Sequence, residues 1–139
     1  MKTVFADACY WIALVNPNDI LHDKALEVSQ SLGQYRTVTS EMILVELLNG
    51  LSGFGETLRS AAVAIAGKLA EDPNVEIVPQ TSLQFRSAME RYASRSNKEW
   101  GVTDCASFLI MEERKLLEAL TKDKHFAQAR FKILMNENP

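Results

Sequence analysis

Four acidic residues stand where the surrounding sequence is apolar. Asp7 falls between Val4-Phe5-Ala6 and Ala8-Cys9-Tyr10-Trp11-Ile12, and Glu46 interrupts Met42-Ile43-Leu44-Val45 and Leu47-Leu48. Asp104 precedes Cys105-Ala106 and the run Phe108-Leu109-Ile110-Met111, and Asp123 follows Leu120-Thr121. A carboxylate in such company faces a desolvation cost of several kcal/mol unless it is paired or binds a metal. Basic partners are few nearby in sequence: Lys122, Lys124 and His125 flank Asp123 alone. An oxygen-only cluster suits Mg2+ or Mn2+. Zinc is disfavoured, because neither His nor Cys shows ligand spacing. Singly, each acid has a plainer reading: a cap or turn residue for Asp7 and Asp104, an exposed stripe for Glu46, a loop acid for Asp123. The four together are harder to read that way.

One or two such ions would lower the pKa of a bound water, orient it against a phosphodiester and stabilise the leaving oxygen. No Ser-His-Asp or Cys-His arrangement offers a side-chain nucleophile. An acidic centre repels phosphate unless cations surround it. Lys122 and Lys124 are best placed by sequence, followed by Arg91 and Arg95, one helical turn apart, and Lys98. Trp100 could stack on a base, although a core plug is the plainer role. His125 could contact substrate or, beside Phe126, be structural.

These residues need elements to bring them together. Thr3–Ala6 reads as a first strand and Ala8–Val15 as a helix stopped by Asn16-Pro17-Asn18-Asp19. Residues 20–32 carry Leu21, Ala25, Val28 and Leu32 at helical spacing, with Gly33 as a stop. Arg36–Thr39 predicts a strand, and Ser40 caps a helix running to about Leu48 or Gly50. A helix over Glu56–Ala70 and a strand over Val75–Val78 follow. Ser82 is expected to cap a helix with Phe85, Met89 and Tyr92 on one face. After a polar loop at 94–101, Thr103 is expected to cap a helix running to about Arg114. Leu117–Thr121 predicts a strand, Lys124–Ala129 a short helix and Lys132–Met135 a last strand. Alternating strands and helices predict an α/β fold with a parallel sheet covered on both faces, whose ligands sit at strand carboxyl ends. Asp7 and Asp123 then lie at strand ends and Asp104 in the first turn of a helix, so one edge could gather all four acids.

Composition bounds the alternatives. The 139 residues suit one domain, 1–139, with a core that needs no disulfide or structural metal. Fifteen Lys and Arg against 18 Asp and Glu argue against bulk-charge binding of nucleic acid. Removing the four proposed ligands from the 18 acids leaves 14, so the rest of the surface is near neutral. The longest apolar run, Ala8–Val15, is far short of the roughly 20 residues that span a bilayer. Nothing at the N-terminus reads as a signal peptide. Cys9 and Cys105 read as free thiols of a reducing cytoplasm.

The same positions carry a resemblance to the PIN-domain nucleases, of the kind found as VapC-type toxins. The matching segments are Val4-Phe5-Ala6-Asp7 with Trp11; Thr39-Ser40-Glu41 leading to Val45-Glu46-Leu47-Leu48; Thr103-Asp104-Cys105-Ala106-Ser107-Phe108; and Ala119-Leu120-Thr121-Lys122-Asp123-Lys124-His125-Phe126. The resemblance spans nearly the whole chain. It implies a three-layer α/β/α sandwich around a mostly parallel sheet of about five strands, with a divalent metal at Asp7, Glu46, Asp104 and Asp123. It also implies hydrolysis of phosphodiesters, usually of RNA, a cognate antitoxin and a homodimer, for which the helices at 41–51 and 56–70 could supply a face. Ser107 and Thr121 match hydroxyl positions near the family's site. Cys9 stands where the family often has Ser or Thr, and Arg130 where close relatives often have Gly before Phe131.

Two rivals compete. A receiver-type Mg2+-binding signalling domain should have an acidic pair after strand one and an acceptor Asp after a central strand. Here Asp7 is unaccompanied and Val75–Val78 ends in Pro79. A phosphatase with an Asp-x-Asp nucleophile fails because position 9 is Cys. The stronger rival is a PIN fold that binds without cleaving.

Overall fold

The structure is a computed structural model and describes residues 1–136. Its centre is a five-stranded parallel sheet: β1 (Lys2–Ala6), β2 (Tyr35–Ser40), β3 (Val75–Val78), β4 (Glu118–Leu120) and β5 (Lys132–Ile133), in the order β3-β2-β1-β4-β5. The helices are α1 (Ala8–Val15), α2 (His22–Leu32), α3 (Glu41–Leu51), α4 (Glu56–Glu71), α5 (Ser82–Ser94), α6 (Val102–Glu113) and α7 (Lys124–Gln128). Helices α1 to α4 pack on one another, and α5, α6 and α7 form a second group. The three-layer, parallel-sheet architecture agrees with the expectation.

The middle of the sheet is buried because β1 is apolar throughout its second half. Val4, Phe5 and Ala6 are fully buried, as a strand flanked by neighbours on both sides and helices on both faces requires. Strand β1 runs outward to β2 and β3, and the chain then returns to place β4 on its other side. The carboxyl ends of β1 and β4 therefore face a topological switch point, where parallel sheets open a crevice.

Ser40 caps α3 as expected, its hydroxyl accepting the Ile43 N–H at 3.1 Å. Two other caps differ. Thr81, not Ser82, caps α5 by accepting the Gln84 N–H at 3.0 Å. Two adjacent hydroxyls are chemically equal for this purpose, and the extended backbone of Thr81 decides between them. Helix α6 starts earlier than expected, with Gly101 as its cap, and the Asp104 carboxylate accepts the Gly101 N–H at 3.1 Å. Thr103 is thus inside the helix.

The expected face of α5 is not a core face. Phe85, Met89 and Tyr92 are exposed, and α5 buries Ala88 instead, whose small side chain brings the helix close to α6. Trp100 fills the core: it is 7% exposed, meets Phe108 edge-on at 4.9 Å and donates its indole N–H to Gln128 at 2.9 Å. At the end of α7, Arg130 has φ +74°, the left-handed region that Gly enters without a Cβ penalty, so the turn keeps the shape a Gly would prefer.

Candidate metal centre

Asp7 is the first residue after β1. Its backbone N–H extends the ladder to Leu120 O at 3.1 Å, so the sheet itself sets its height. The carboxylate caps α1, one oxygen accepting the Ala8 N–H at 2.8 Å. The other accepts the Thr121 hydroxyl at 2.8 Å. Asp123 caps α7 by accepting the His125 N–H at 2.8 Å. Asp104 is held by Gly101 at the start of α6. Glu46 projects from α3 at the edge of its buried stripe and stays solvent-exposed. Two strand ends, the first turn of α6 and the middle of α3 thus bring Asp7, Asp123, Asp104 and Glu46 to one cleft, also lined by Cys9, Glu99, Gly101, Lys122 and His125.

The electrostatics are those of crowded anions. Burial pushes the Asp7 carboxyl up to about 6, against the pull of its bonds from Thr121 and Ala8; the Asp104 and Asp123 charges push it further up. Glu46 is raised to about 7 by partial burial and then by Asp7 and Asp104, with a Thr103 hydrogen bond opposing. Burial also raises Asp104, against the Gly101 and His125 hydrogen bonds. Among the described residues no Lys or Arg forms an ion pair with any of the four. Hard oxygen donors that pair with no Lys or Arg among the described residues fit a divalent ion, which would relieve the repulsion that raises these carboxyls.

Thr121 joins three parts of the site. Its single proton goes to Asp7, so its oxygen accepts the Asp123 N–H at 3.0 Å and faces the Cys9 thiol at 3.4 Å. Burial pushes that thiol up to about 11, so Cys9 is a neutral thiol at physiological pH. Thr121→Val keeps the shape but orphans these partners. It should cost about 1–3 kcal/mol in thermal denaturation, while Thr121→Ser should restore most of the loss. A Val variant as stable as the wild type would remove this role.

The remaining candidates scatter. Ser107 is buried and donates to the Thr103 carbonyl at 2.9 Å, a bond within α6. Arg91 makes a two-pronged pair with Glu112 at 2.8 and 3.0 Å, across α5 and α6. Arg95 and Lys98 line a neighbouring depression that shares Glu99 and Gly101 with the cleft. Lys122 lines the cleft, and Lys124 is exposed at the start of α7. His125 sits between two acids, its Nδ1 3.0 Å from Asp104 and 3.4 Å from Asp123. Sequence reasoning missed Glu99 and Thr103. Glu99 lies in a polar loop where an acid carries no signal, and a hydroxyl just before Asp104 reads equally as a helix cap.

The family model described as PIN domain matches residues 4–132. The chain is 30% identical over 131 residues to the 23S rRNA-specific endonuclease VapC20 of Mycobacterium tuberculosis, covering 92% of this chain and 95% of that protein. The crystal structure of VapC20, described as a sarcin–ricin loop cleaving toxin, superposes with a TM-score of 0.81 at 26% identity over 92% of this chain and 95% of that one. VapBC2 from Rickettsia felis, bound to a DNA fragment from its promoter, shares the fold at a TM-score of 0.65 and 12% identity, over 95% of this chain and 97% of that one.

Proposed function

The chain belongs to the PIN domain family, and from that membership we propose that it is a Mg2+- or Mn2+-dependent endoribonuclease, the toxin of a toxin–antitoxin pair. The observation that carries the reading is the convergence of four carboxylates without a Lys or Arg partner among the described residues. Asp7, Glu46, Asp104 and Asp123 would hold one or two ions. A divalent ion supplies an acidified water and charge stabilisation for phosphodiester hydrolysis. The chain does the positioning: Thr121 and Ala8 orient Asp7, and Gly101 orients Asp104. Lys122 at the cleft, with Lys124, Arg95 and Lys98 around it, would offset the acidic field and meet substrate phosphates.

The likeness to VapC20 makes ribosomal RNA the substrate class to test. Two free cysteines and an RNA target suit the cytoplasm. No helix among the described residues is long and apolar enough to cross a membrane. We assign a homodimer face to the exposed Val45, Leu48, Phe54 and Val63 on and around α3 and α4, and expect a separate antitoxin to restrain a nuclease of this kind.

The test is incubation of the purified chain with 23S rRNA and Mn2+ or Mg2+, with chelator controls, followed by mapping of the new RNA ends. Discrete internal cuts that need the metal are expected. RNA held but uncut in both metals would mark a binding module and overturn the reading.

A further inference from the structure

The cleft holds an imidazole, a donor that an oxygen-only centre does not include. His125 lies in the first turn of α7, with Asp123 on one side of its Nδ1 at 3.4 Å and Asp104 on the other at 3.0 Å. One ligand atom from each of the three lies within 4.8 Å of the others. Donors at about 2.1 Å from a shared ion stand roughly 3.0–3.4 Å apart at neighbouring vertices, so Nδ1 already has that separation from both carboxylates. The ring is also held in place. The His125 backbone N–H is tied to Asp123 at 2.8 Å, and the next residue, Phe126, is fully buried between Phe5 and Phe108.

Granted a metal centre in this cleft, as proposed above, we infer that His125 Nδ1 is a ligand of the ion held by Asp104 and Asp123, and that this nitrogen makes the centre favour Mn2+ over Mg2+. Mg2+ is a hard ion that selects oxygen and keeps its waters, whereas imidazole suits first-row transition ions. The pairing is invisible in sequence because 21 residues separate His125 from Asp104. It turns an all-carboxylate expectation into a mixed nitrogen–oxygen set.

The probe is Mn2+ itself, added to the full chain. Pulsed electron paramagnetic resonance of the wild type is expected to show coupling to a histidine nitrogen, changed by 15N-histidine labelling. The chain has two histidines, and the other, His22, has its Nδ1 2.7 Å from the Ala13 carbonyl oxygen. His125→Gln should abolish the coupling and weaken Mn2+ binding at least about tenfold by calorimetry, since even losing a partner one shell out from the metal costs about that much. Mg2+ affinity should fall much less, so the preference for Mn2+ narrows. Mn2+ bound without nitrogen coupling, or equal losses for both ions, would overturn the inference and make His125 an orienter of Asp104. No Mn2+ binding to the wild type would defeat the metal-centre reading together with this one. The wild-type spectrum needs no variant, so a folding defect cannot mask the answer.

Discussion

Asp104→Asn should lower metal-dependent RNA cleavage by at least about 10³-fold with the fold intact. A ligand carboxylate contributes several kcal/mol to charge stabilisation at a metal-assisted site, and each 1.36 kcal/mol is tenfold in rate. The substitution suits the test because the Asn carbonyl can still accept the Gly101 N–H that Asp104 accepts at 3.1 Å. Helix α6 therefore keeps its start, and what is lost is one negative charge and one oxygen ligand. Asp7→Asn should be equally inactive, its side-chain oxygen still able to cap Ala8. Single-turnover cleavage of a ribosomal RNA fragment in Mn2+, with circular dichroism as the folding control, reads the result. Either variant retaining wild-type rates would remove the four-acid mechanism.

The second large effect is on stability, and its sign is opposite to that of an ordinary ion pair. Asp7 titrates near 6 in the folded chain instead of near 3.8. Between those values the native state holds more protons than the unfolded state. Metal-free stability should therefore fall as pH rises from about 4 to 6, and the penalty should be complete above that. The shift corresponds to about 3 kcal/mol for this buried carboxyl. Glu46, raised to about 7, acts in the same direction up to neutral pH, but its solvent exposure makes its share smaller. Glu76 and Glu112 are lowered by Arg114 and Arg91, so their stabilisation is lost only on acidification below the ordinary glutamate range. The window from pH 5 to 7 thus reports the cleft.

Thermal melts in chelator across that window should show a falling midpoint, and Asp7→Asn should flatten the slope and raise the midpoint at pH 7. Mn2+ at 1,000 times its dissociation constant should add about 4 kcal/mol to the wild type and much less to the variant. A midpoint that rises with pH in chelator, or that ignores Mn2+, would contradict the electrostatic account. The two experiments share a variant that should be dead as a nuclease yet more stable as a protein. Few substitutions outside a metal centre would do both.

Much of this was legible in the chain. Asp7, Glu46, Asp104 and Asp123 stood out because each abuts apolar residues, and burial of the neighbours drags the carboxylate toward the interior. The strand at Val75–Val78 and the cap at Ser40 were legible because they depend on local backbone preference and neighbouring side chains. Other features were not. The spacing of Phe85, Met89 and Tyr92 places them on one helix face, but spacing does not say whether anything covers that face, and here nothing among the described residues buries it. Trp100 offered both a stacking and a core role, and the decision came from Phe108 and Gln128, which other parts of the chain supply.

The sequence by itself determined most of the elements and singled out the acids, which rest on periodicity, capping and residue type acting over a few residues; the family came from the resemblance of the motifs around those acids. Only the tertiary structure decided what the acids meet. Parallel pairing of β1 with β4 sets Asp7 beside Thr121, 114 residues away, and the starts of α6 and α7 bring His125 against Asp104. The raised carboxyls of Asp7 and Glu46 follow from that assembly. Desolvation and charge crowding depend on distance in space, and a parallel sheet brings to one edge residues that the chain keeps far apart.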